Sequence, residues 1–109
     1  MANEKASRRW TDLLAEEDLA FIKRFVLASG SLKALAAAYG ISYPTVRLRL
    51  DRLIEKVKVI DSQEIVGRFE REARLLYADG KIDGGALRAL LAAHRDEVEA
   101  HDEDEDRDR

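Results

Sequence analysis

Apolar residues recur along this chain with a helical period, and two runs stand out for their spacing. Over 16–29, Leu19, Ile22 and Val26 form one stripe at i, i+3 and i+7. Phe21, Phe25 and Ala28 form an adjacent one. So wide an apolar face predicts a central scaffold helix. Glu16, Glu17 and Asp18 suit the positive end of its dipole, and Gly30 is placed to end it. Over 43–57, Val46, Leu50, Leu53 and Val57 make an inward stripe, and Arg47, Leu48, Asp51 and Arg52 are expected to point away from it.

Between these two lies a shorter predicted helix, 32–39, capped by Ser31, with Leu32, Leu35, Ala36 and Tyr39 on one side. Gly40 supplies a left-handed turn, Ile41 plugs that turn into the core, and Ser42 caps the following helix. Pro44 stands in its first turn, where a missing N–H does no harm. After a short link near 58–61, a fourth helix is predicted over 62–78, with Ile65, Phe69, Ala73 and Leu76 buried. A last one over about 84–98 buries Leu87, Leu90, Leu91 and Val98.

The predicted fold is therefore all-α: a three-helix helix-turn-helix unit followed by a C-terminal helical hairpin. Residues 1–9 read as a flexible leader, anchored by Trp10, and 10–58 as the helix-turn-helix domain. Residues 59–99 read as the hairpin, a possible dimerisation element, and 100–109 as a disordered acidic tail. With 109 residues there is room for one domain and little more.

Charge sharpens this picture. The chain carries −3 overall, but residues 96–109 hold nine acids against Arg107 and Arg109, a net of −7, leaving +4 on the rest. Within 30–58 there are six bases (Lys33, Arg47, Arg49, Arg52, Lys56, Lys58) against Asp51 and Glu55. Positive charge gathered on one helical motif points to a polyanionic partner. The acidic tail could compete with that partner for the basic helix.

In a helix-turn-helix the second helix enters the major groove with its N-terminal residues at base edges. Ser42, Tyr43, Thr45 and Arg47 cluster at that end, and outward-pointing Leu48 could touch a thymine methyl, so these five are the expected base contacts. Lys33, Arg52 and Lys56 are the expected phosphate contacts. Arg49 flanks the buried stripe and is expected to pair with an acid on a neighbouring helix.

The run Ser42-Tyr43-Pro44-Thr45-Val46-Arg47 with Leu50 and Leu53 resembles the S-x-x-T-V-R-x-x-L-x-x-L signature of GntR-type and DeoR-type bacterial repressors. Residues 40–53 are closer still to the pattern G-I-S-Y-P-T-V-R-x-R-L-D-x-L of an uncharacterised bacterial family, "domain of unknown function 2089". The resemblance covers about residues 10–58 well and the C-terminal hairpin loosely, and it implies a bacterial helix-turn-helix protein acting in transcription. Members of that family often carry a zinc-binding segment of paired cysteines, which this cysteine-free chain lacks.

The working expectation is a transcriptional regulator that binds double-stranded DNA as a homodimer. The competing one is a protein-interaction module of the same fold, with Leu48 at its contact surface. No apolar run is long enough to span a bilayer, and the absence of cysteine agrees with a reducing cytosol, so a cytoplasmic location is expected.

Catalysis and cofactors are not expected. There are only two late His, no glycine loop to cradle phosphate, and no acid pair in an apolar setting. Asp79–Asp83 resembles the middle of a calcium loop, but Leu75, Tyr77 and Ala86 stand where its first, third and twelfth oxygen ligands belong. A helix–helix turn is the better reading. His94, Glu97 and His101 would share a face of an extended last helix. A metal site there would need converging ligands and outer support, and His94 at the rim of the Leu87–Leu91 stripe is the simpler assignment.

Overall fold

The computed structural model describes residues 9–65 and 67–107, and they form five α-helices with no strand. The order is a 3-10 turn at Trp10–Leu13, then α1 (Glu16–Leu27), α2 (Leu32–Tyr39), α3 (Tyr43–Asp61), α4 (Arg68–Ala78) and α5 (Gly84–Arg107). They divide into two compact units, residues 1–61 and 62–109. Of the expected leader only Arg9 lies within the described residues.

The first unit has its own core: Leu14, Phe21, Leu35, Ala36, Val46 and Leu53. Leu35 and Val46 are its fully buried large side chains, one on α2 and one on α3, where those two helices cross. Ala36 beside them lets the backbones approach. Of the two apolar stripes on α1, the inner one is Phe21–Phe25–Ala28. In the other stripe Leu19 and Val26 are exposed, Val26 by 68%, while Ile22 between them still packs on the edge of the core. The aromatic stripe wins because Phe21 stacks with both Phe25 and Tyr39, at 6.5 and 6.3 Å between ring centres.

Local chemistry explains the helix ends. Oδ2 of Asp18 accepts the Ala15 N–H at 3.1 Å and starts α1. At its far end the Gly30 N–H reaches Phe25 O and the Ser29 N–H reaches Val26 O, both at 2.9 Å. This pair of bonds is a Schellman motif, and its left-handed position is taken by Ser29 (φ 55), one residue before the glycine expected to end the helix. α2 starts with the Ala34 N–H on Ser31 Oγ at 3.1 Å.

Two helices differ in length from expectation. α3 continues through 58–61, predicted as a link, because Ile60 follows Val57 on the inward stripe and packs on the same core. α5 continues to Arg107, into the stretch expected to be disordered. That stretch holds neither Gly nor Pro to stop it.

In the second unit α4 begins only at Arg68, after Gly67 with φ 89, so Ile65 lies before the helix rather than on it. The turn 79–83 closes α4 through the Lys81 N–H on Leu76 O at 2.9 Å. It opens α5 through the Ala86 N–H on Asp83 Oδ1 at 2.7 Å. α4 and α5 pack together, with Ala73, Leu75 and Leu87 buried and the half-buried His94 ring stacked 4.4 Å from that of Phe69. No described helix is long and apolar enough to cross a membrane.

Candidate nucleic-acid interface

The turn between α2 and α3 sets the direction of α3. Gly40 adopts φ 66, ψ 33 and passes its N–H to Ala37 O at 3.2 Å, while the Ile41 N–H reaches Ala36 O at 3.1 Å. A Cβ at Gly40 would meet nothing within 4 Å. Glycine is therefore needed for its left-handed backbone and not for space. Ile41 then packs against the core and fixes where the next residues emerge.

Ser42 Oγ accepts the Thr45 N–H at 3.3 Å, and the two hydroxyls lie 2.7 Å apart. Both residues are exposed, but their hydroxyls are engaged in starting the helix. Ser42 is thus first a cap, and what it and Thr45 keep for a partner is the remaining hydrogen-bonding capacity of that pair. Tyr43 and Leu48 stand out beside them, about half exposed. Arg47, also exposed, lies along the helix surface with its Nε 3.2 Å from Asp51 Oδ1. An exposed i,i+4 pair of this kind is worth only a few tenths of a kcal/mol, about 0.3–0.5, so Arg47 can exchange Asp51 for another acceptor at little cost.

The expected phosphate contacts divide. Lys33 on α2 and Arg52 on α3 are exposed and have no ion-pair partner among the described residues. Lys56 does not belong with them. It is only 6% exposed, and its ammonium donates to Asp18 Oδ2 in the first turn of α1. Arg49 is likewise not paired with an acid as expected. Its guanidinium lies over the rings of Phe21 and Tyr39, at 5.4 and 5.2 Å from their centres.

Both corrections have one cause. Val46, Arg49, Leu53, Lys56 and Ile60 recur at i, i+3, i+7, i+10 and i+14, so the arginine and the lysine share a flank with the buried residues. That spacing was the available signal. Burial of this flank leaves Lys33, Arg47, Arg52 and Lys58 as the outward bases of the segment, two of them paired with Asp51 and Glu55.

No group of three His, Cys, Asp or Glu among the described residues is arranged to hold a metal ion.

Comparison with known proteins agrees with this geometry. Residues 14–60 match the model of a family described as "Domain of unknown function (DUF2089)-HTH". The matched segment begins at Leu14, the first buried one among the described residues, and ends at Ile60, the last inward residue of α3. No curated protein and no solved structure matches the chain.

Proposed function

Because residues 14–60 are a domain of this helix-turn-helix family, we propose that the chain binds double-stranded DNA as a transcriptional regulator of bacterial type. The N-terminal half of α3 enters the major groove. Tyr43, Arg47 and Leu48 face base edges, with the Ser42–Thr45 hydroxyl pair beside them, and Lys33 and Arg52 face phosphates.

The observation that carries this reading is the exposure of Tyr43, Arg47 and Leu48 at the start of a helix whose direction is fixed by a left-handed turn. An exposed tyrosine, arginine and leucine side by side offer stacking, bidentate hydrogen bonding to guanine and apolar contact with a thymine methyl.

With few outward bases per module, one copy supplies little counterion release. The working form is therefore a homodimer that adds two modules on one duplex. On this reading the protein acts in the cytoplasm and is a binding protein, not an enzyme.

The test is selection of genomic fragments by the full chain, followed by titration of a selected fragment at increasing salt. DNA binding predicts a bound site and an affinity that falls linearly on a double logarithmic salt plot. No retention of genomic DNA even at low salt would overturn it.

A further inference from the structure

The first unit carries an apolar groove farther along α3, beside its C-terminal half. It has a volume of about 350 Å³ and lies between the 3-10 turn, α1 and the C-terminal half of α3. Trp10, Ile22, Phe25, Leu50, Ile54 and Val57 line it, with Lys58 and Asp61 along the α3 edge. Trp10 remains 50% exposed, and the outward stripe of α1 continues the apolar surface to Val26. An apolar face of this extent, edged by charge, is the signature of an interaction surface.

We propose that this groove is the contact surface between two copies of the chain, paired about a two-fold axis with their α3 helices antiparallel. The proposal rests on the DNA-binding reading for its purpose but not for its test.

Two features favour a second copy over another occupant. The first is charge. Lys58 and Asp61 stand one helical turn apart on the same edge, with opposite signs. In a two-fold contact each surface meets itself reversed, so Lys58 of one copy meets Asp61 of the other, and the pair forms twice. Asp61 has no cation partner among the described residues, and Lys58 is held only by the exposed Glu55 at 3.2 Å.

The second feature is distance. Thr45, at the centre of the expected reading end, lies 13 residues before Lys58, or roughly 20 Å along the helix. Two antiparallel α3 helices crossing near Lys58 hold their reading ends roughly 40 Å apart if collinear, and ~35 Å apart if crossed at the common packing angle of about 50°. Successive major-groove faces on one side of B-DNA are separated by about 34–36 Å. Leu48 and Arg52 lie about a third of a turn or more around α3 from Ile54, whereas Arg47 and Tyr43 share its side and clear the contact only by standing roughly 10 and 16 Å before it along the helix.

The experiment is sedimentation velocity on the full chain over a micromolar concentration range, without DNA, together with the emission of Trp10, the only tryptophan. The expected result is twice the chain mass, with the Trp10 emission moving to longer wavelength on dilution. Ile54→Glu should give the monomer with unchanged helix content by circular dichroism. Lys58→Asp and Asp61→Lys should each weaken association by about tenfold or more, and the double exchange K58D/D61K should restore it to within about threefold.

A chain that is monomeric throughout overturns the proposal. So does a dimer that tolerates Ile54→Glu but is lost on Leu90→Glu in α5, since that places the contact on the hairpin. Either result leaves DNA binding to be judged by its own assay.

Discussion

Lys56 on α3 and Asp18 on α1 form an ion pair that is largely, though not fully, buried. Asp18 also accepts the Ala15 N–H, so one carboxylate both starts α1 and ties it to α3. Removing Lys56 leaves the Asp18 carboxylate without its ammonium partner. Lys56→Ala and Asp18→Ala should each cost about 3 kcal/mol of folding stability, by urea unfolding, and the double variant should cost less than their sum. Two independent, additive losses would show that the pair does not act as one.

Arg47 should behave differently. Arg47→Ala should leave stability within about 0.5 kcal/mol of the parent, yet cost about 1–3 kcal/mol of binding to a selected site and relax the preference at one base position. Asp51→Ala releases the guanidinium and should leave binding equal or tighter. Unchanged binding by Arg47→Ala would remove this residue from the interface.

Salt dependence separates outward bases from inward ones. Lys33→Ala and Arg52→Ala should each lower the slope of log affinity against log salt by about 0.9, uniformly across sequences. Arg49→Ala should leave the slope unchanged. It should instead lower stability by about 1–2 kcal/mol, because the guanidinium over Phe21 and Tyr39 is lost. A changed slope for Arg49→Ala would mean that it reaches phosphate after all.

The two left-handed helix ends in the first unit predict opposite responses. Ser29 holds φ 55 with a side chain, so Ser29→Gly should raise stability by up to about 1 kcal/mol. Gly40→Ala places a Cβ on φ 66 with no steric neighbour, so it should lower stability by about 1–2 kcal/mol through the backbone alone. Thermal unfolding of the two variants side by side tests this.

Much of the architecture was legible in the chain because its signals are local. A helical period, a serine before a helix and a glycine after it act within a few residues. α2, the Gly40 turn and the start of α3 at Ser42 therefore stand where the sequence places them. The extra length of α3 and the later start of α4 escaped for the same reason. Ile60 is held by a core assembled from distant residues, and Gly67 delays α4 through a backbone angle that no periodicity expresses.

The sequence alone determined that this would be a helical protein built around a turn and a basic helix, since short-range geometry and charge count are properties of the string. Which basic side chains face outward was decided only in three dimensions. Lys56 and Arg49 look like surface cations until Asp18 arrives from α1 and Phe21 and Tyr39 arrive from α1 and α2 to receive them. The same holds for the two stripes of α1, of similar apolar character, where stacking against Tyr39 of α2 selected the aromatic one. A residue's side of the fold depends on what the other elements bring to it, and that is settled by packing.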